Sequence, residues 1–107
     1  DMIKTGGENV PTREVEEAIY LDRRVQEVAV VGLPDPKWVE AVTAVIVLKP
    51  GEKMTEEEVI AHCRKELATF KCPKKVIFLD ALPKTPTGKI LKREMRATYK
   101  DMFYGKP

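Results

Sequence analysis

Hydrophobic and polar positions change period several times along this chain. Val15, Ala18 and Ile19 stand at i, i+3 and i+4, the spacing of a buried helical stripe, in a stretch that starts at Pro11-Thr12. Thr12 is placed to cap that helix, and Glu14, Glu16 and Glu17 suit its positive end. Val25 to Leu33 is rich in β-branched residues and reads as a strand ending in a turn at Pro34-Asp35-Pro36. Ala41 to Leu48 is apolar at both alternating positions, as expected of a central strand covered on two sides, and Lys49-Pro50-Gly51 closes it. Thr55 and Glu58 form a capping box, after which Val59, Ile60, Cys63 and Leu67 line one face of a second helix. Lys75 to Asp80 reads as a third strand, and Pro83 and Pro86 mark an extended loop. A last helix, from Leu91 to Met102, turns Leu91, Met95, Tyr99 and Met102 inward. The expected fold class is α+β: a small sheet of about three strands flanked by helices, preceded by a short N-terminal β-turn or hairpin.

A chain of 107 residues with 43% hydrophobic side chains has room for one globular domain. Its longest apolar stretch, Ala41 to Leu48, is interrupted by Thr43 and too short to cross a bilayer, so no transmembrane segment is expected. No basic start with an apolar core opens the chain, and 2 cysteines cannot form a disulfide framework, so the expected location is cytoplasmic. Gly6-Gly7 puts a tight backbone feature almost at the terminus, which points to a piece of a longer protein. The formal net charge of +2 conceals a division. Residues 1–60 carry 7 basic and 13 acidic side chains, whereas residues 61–107 carry 12 basic and 4 acidic. So basic a half fits an anionic partner, or else a solvated face.

Chemistry-bearing candidates are few. In Pro83-Lys84-Thr85-Pro86-Thr87-Gly88-Lys89, two prolines stiffen a loop that brings Lys89 to a helix entrance. The phosphate-loop pattern fails here: it needs Gly at position 83, where Pro stands, and Ser or Thr at 90, where Ile stands. Taken alone, Thr87-Gly88-Lys89 is better read as an ordinary turn with a surface lysine. Thr5-Gly6-Gly7-Glu8-Asn9 would let another molecule approach the backbone closely, or would simply be a hairpin turn. His62, Cys63 and Cys72 offer too few ligands at the wrong spacing for a metal, and Cys63 belongs to the apolar helix face, so no metal site is expected.

Together, DMIKTGGENV near the start and LPKTPTGKILKREMR near the end resemble the C-terminal domain of AMP-forming acyl-CoA synthetases, of the acyl-adenylate-forming superfamily. VAVVGLPDPKWVEAVTAVIVLKPG and LATFKCPKKVIFLD extend the resemblance over essentially the whole chain, 1–107. The IKTGGENV and REVEEAIY wording is most similar to bacterial fatty-acyl-CoA synthetases; an aryl-CoA ligase of the same family is the alternative. The resemblance implies a mobile lid domain whose large N-terminal domain lies outside this chain, together with the hinge just before Asp1. It also implies two steps: a carboxylate and ATP, bound with Mg2+, give acyl-AMP and pyrophosphate, and CoA then displaces AMP. Lys89 matches the catalytic lysine. Gly7 matches the glycine passed by the CoA arm, with Gly6, Glu8 and Asn9 beside it. By analogy with aryl-CoA ligases, Trp38, Phe70, Lys71 and Lys74 would contact CoA. Two departures stand out: many members have Trp-Gly-Glu where this chain has Trp38-Val39-Glu40, and some aryl-CoA ligases carry Arg where Cys72 stands. The implied partners are the N-terminal domain of the same polypeptide and small molecules, with no nucleic acid. The competing reading is a stand-alone nucleotide- or RNA-binding module, against which count the missing GXXG loop and aromatic strand motifs.

Overall fold

The computed structural model describes residues 1–104. Gly6 and Gly7 have φ values of 56° and 85°, the pair of positive angles that a two-residue type I′ hairpin turn requires. They join β1 (Met2–Thr5) to β2 (Glu8–Pro11). The chain continues as α1 (Thr12–Tyr20), β3 (Val25–Asp35), β4 (Val39–Leu48) and α2 (Glu56–Glu66). A 3-10 turn at Thr69–Lys71, β5 (Lys75–Phe78) and α3 (Lys92–Tyr99) follow.

The long antiparallel pair β3–β4 carries the sheet, in register from Val25↔Leu48 to Asp35↔Val39. β5 lies parallel to β4, from Thr43↔Lys75 to Ile46↔Phe78, with α2 as the crossover that a parallel pair needs. β1 reaches the starting end of β4 through Thr5↔Val39. The α+β class therefore stands, but the N-terminal hairpin is part of the sheet, which has five strands rather than about three.

Because β3 and β4 are apolar on both faces, each face carries its own core. On one side Val28, Val30, Val42, Ala44 and Ile46 pack with Val15 and Ile19 of α1 and Val59 and Cys63 of α2. On the other, Ala29, Val31, Leu33, Val45 and Val47 pack with Leu82 and with Met95 of α3. The sheet is thus sandwiched between a two-helix layer and a single helix.

Several boundaries move from their sequence-based positions. β3 and β4 extend to Asp35 and from Val39, because the Asp35 carboxylate accepts hydrogen bonds from Lys37 N (2.7 Å) and Trp38 N (2.9 Å) and tightens the turn to Pro36–Trp38. Thr12 does not cap α1: Pro11 occupies the N-cap, and Thr12 N bonds Asp1 O at 3.1 Å. β5 stops at Phe78, although Leu79 N still bonds Ile46 O at 2.9 Å. α3 ends at Tyr99, and Met102 follows in a tighter turn, its N–H bonding Tyr99 O at 3.0 Å; both side chains still pack against the second core. The Thr55–Glu58 capping box forms in both directions.

Three glutamates meet backbone N–H groups of strands. Glu16 accepts from Val30 N of β3 at 2.9 Å, Glu40 from Lys4 N of β1 at 2.8 Å, and Glu56 from Val76 N of β5 at 2.8 Å.

Candidate functional site

Four segments distant in sequence enclose a cavity of about 560 Å³ on the two-helix face. They are the β1–β2 turn, the β3–β4 turn, the last turns of α2 and the 3-10 turn before β5. Gly6, Glu8, Trp38, Phe70 and Lys74, five of the eight positions expected to hold a cofactor, line it.

Local geometry explains how they meet. Trp38 O accepts from Gly6 N at 2.8 Å, and a Cβ on Gly6 would lie 2.8 Å from Trp38 Cε3, so the indole packs where a side chain at 6 would stand. A Cβ on Gly7 would meet nothing within 4 Å. Gly6 is therefore committed to an internal contact, whereas Gly7 leaves its outer side open. Lys37 Nζ and Lys74 Nζ lie 4.9 Å and 5.0 Å from the Trp38 ring centroid, which gives the aromatic wall a positive surround. Lys74 N bonds Val42 O at 2.7 Å, fixing its backbone to β4.

Three expected residues do not line the cavity. Gly7 and Asn9 belong to the hairpin beside the cavity without lining it, and Lys71 is engaged elsewhere. Its ammonium contacts both Glu14 oxygens at 2.9 Å, while lying 5.6 Å from the Phe70 centroid. Lys71 thus joins the 3-10 turn to α1. The same holds for much of the basic half: Lys75 pairs with Glu56, Lys84 with Glu27, and Lys92 with Glu16 and Asp1. Four of the 12 basic side chains after residue 60 are thus paired inside the domain, which leaves a smaller set to face an anion.

Sequence reading missed Arg64, Ile60, Thr69 and Pro73 as lining residues, and named Thr5 only as part of the glycine motif. For Arg64 a signal existed: it stands one turn after Ile60 on α2, at the edge of the apolar stripe. It supplies a cation at this site where Cys72 replaces the arginine of some aryl-CoA ligases. Cys72 itself is buried in the core, with its thiol raised above the usual range by desolvation; burial likewise pushes Cys63 up to about 12. Neither thiol is poised as a nucleophile or thiolate ligand. His62 Nε2 lies 2.7 Å from Ala18 O and ties α2 to α1.

Lys89 sits apart from this cavity. Its loop is held by Thr85: Thr85 N bonds Lys89 O at 2.8 Å, and Thr85 Oγ1 accepts from Lys89 N at 3.0 Å. Gly88, at φ 92°, makes the reversal, and Lys84 bridges back to Ile90. The Lys89 side chain is exposed and has no ion pair among the described residues. Ile90 packs into the second core, so this loop belongs to the α3 face. It is anchored by Lys84 at Glu27, roughly eight residues and so about 26 Å along β3 from the turn that carries Trp38. The two candidate sites occupy opposite faces of the sheet.

A mixed sheet between unequal helical layers, with a double-glycine hairpin and a stiffened Gly-Lys loop on separate faces, defines the class. Residues 14–89 match the family model described as AMP-binding enzyme C-terminal domain, and the chain belongs to that family. It is 48% identical over 99 residues to the long-chain-fatty-acid–CoA ligase FadD13 of Mycobacterium tuberculosis, covering 92% of this chain and 20% of that protein. It is 46% identical over 99 residues to the peroxisomal butyrate–CoA ligase AAE11 of Arabidopsis thaliana, covering 90% of this chain and 17% of that one. Apo MatB from Rhodopseudomonas palustris superposes with a TM-score of 0.93 at 44% identity, over 96% of this chain and 21% of its own. The chain spans about a fifth of the length of these relatives.

Proposed function

We propose that residues 1–107 form the mobile C-terminal lid of an ATP-dependent, AMP-forming acyl-CoA ligase that acts on a fatty acid. Its partner is the large N-terminal domain of the same polypeptide. The observation that carries this reading is the pair of sites on opposite faces: a Lys-bearing loop on one, an aromatic and cationic cavity beside a double-glycine turn on the other. One domain so built can serve two successive reactions by turning.

In the first, Lys89 is the catalytic residue. Adenylation builds negative charge between the attacking carboxylate and the α-phosphate, and the protein's main task is to position groups and neutralise that charge. A lysine ammonium on a long stem reaches both groups, and the Thr85 contacts hold its base still. Mg2+ enters with ATP and takes no ligand from this chain in the proposal. In the second, the thiol arm of CoA passes the open side of Gly7, with Gly6, Glu8 and Asn9 flanking it. Trp38 and Phe70 supply apolar or stacking faces, and Lys74 and Arg64 the charge for phosphates. Lys71, held by Glu14, positions Phe70 instead of meeting phosphate.

No helix among the described residues is long and apolar enough to cross a membrane, and we place the enzyme in the cytoplasm. The test is a panel of fatty and aryl carboxylic acids offered to the intact polypeptide, with pyrophosphate release and CoA thioester both measured. Turnover of medium- or long-chain fatty acids is expected. Preference for aryl acids would move the enzyme to the neighbouring branch, and no pyrophosphate from any acid would overturn the ligase reading.

A further inference from the structure

Thr5 ends β1 directly before the double-glycine turn, and its side chain is 3% exposed. It points the same way as Ile3, toward the two-helix face, and lines the floor of the cavity. Among the described residues its Oγ1 is the one buried side-chain polar atom without a hydrogen-bond partner. Every other buried polar or charged side chain is engaged: Thr12 with Asp1 O, Asp35 with two backbone N–H groups, and Thr43 with Ala41 O. Leaving a hydroxyl desolvated and unpaired costs stability, and native folds keep such groups where they serve a purpose.

The surroundings narrow that purpose. The cavity walls near Thr5 are apolar or aromatic, from Trp38, Ile60, Phe70 and Pro73, and cations stand on α2 and beside the indole at Arg64 and Lys74. A hydroxyl both donates and accepts, so it complements an amide, which offers either a C=O or an N–H. A mainly apolar channel with one buried, unpaired hydroxyl, with Thr69 and Glu8 also in its lining and cations nearby, fits a flexible, amide-bearing arm that ends in phosphates.

We infer that Thr5 Oγ1 is a binding residue of the ligase, hydrogen-bonding an amide of the CoA thiol arm where the arm lies in the cavity alongside the β1–β2 turn and Trp38. This rests on the reading of the cavity as the CoA site. The hydroxyl anchors the arm beside Gly7, so that the turn supplies open space and the residue before it supplies the one directional contact.

The experiment uses the full-length ligase with Thr5→Val, which keeps the shape and deletes the hydroxyl, and Thr5→Ser, which keeps the hydroxyl. Removing an unpaired buried hydroxyl from the fold leaves the melting temperature equal to wild type or higher. Losing a hydrogen bond to the ligand raises KM for CoA about fivefold to tenfold in Thr5→Val, and Thr5→Ser restores it to within about twofold. A lower melting temperature with KM for CoA unchanged would make the hydroxyl a structural group and overturn the inference. Equal impairment of Thr5→Val and Thr5→Ser would trace the effect to shape and overturn it too. A wild-type enzyme that forms no CoA thioester would overturn the reading of the cavity itself, and this inference with it.

Discussion

Val39 holds a φ of 72°, the left-handed region that a β-branched residue enters only under constraint, and its side chain is exposed. Hairpins of this length ordinarily place glycine there, and the Trp38-Val39-Glu40 departure from Trp-Gly-Glu is absorbed as strain with the turn kept intact. The neighbours over-determine it: Asp35 fixes the turn on one side, and Glu40 bonds Lys4 N on the other. Val39→Gly is therefore expected to stabilise the domain by about 1 kcal/mol, seen as a melting temperature several degrees higher. Asp22 gives a second residue-level expectation. Hydrogen bonds from the Arg24 guanidinium hold its carboxyl at about 2, below the usual 3.8. A carboxyl whose folded pKa is depressed contributes stability that is complete above its unfolded pKa and is lost as pH falls through the folded value. Asp22→Asn should thus be less stable than wild type at pH 5, with the gap closing between about pH 4 and pH 2 in melting curves.

Elements were legible wherever periodicity or capping chemistry is local. The Thr55–Glu58 box and the Val59–Cys63 stripe are contained within α2, and the two-sided apolar pattern of β4 is contained within one strand. Thr55→Ala should cost about 1 kcal/mol by loss of the cap, checked by urea melts. What sequence reading could not reach depends on pairing between distant segments. The union of the hairpin with the sheet rests on Thr5↔Val39, and the contact of Lys71, expected at CoA by analogy with aryl-CoA ligases, with Glu14 spans 57 positions. Glu16 and Glu14 looked like helix-end charges; the fold uses them for a strand N–H and for a lysine instead. Glu16 and Glu56 occupy backbone donors of β3 and β5, each paired on one side only, that would otherwise invite another strand, a form of edge protection built from carboxylates.

At the scale of the whole molecule, the sheet separates the Lys89 loop from the cavity, so under the proposed function the two sites would meet one active centre in turn. Damage should therefore sort by face. In the full-length enzyme, Lys89→Ala should lose pyrophosphate release by about two to four orders of magnitude while still converting supplied acyl-AMP to thioester. Gly7→Leu, which fills the open side of the turn, should release pyrophosphate and fail at thioester formation. The Lys89 loop and the Gly7 turn were both readable from their residues, but their placement back to back required the sheet between them. A sheet that keeps the two tools apart also makes their failures separable between molecules. Two preparations, each dead in a different half, form a biochemical complementation pair when mixed. The thioester they regain together measures how often the acyl-adenylate escapes one copy and is captured by another. If complementation is absent although both half-reactions survive, the acyl-adenylate stays with the copy that made it.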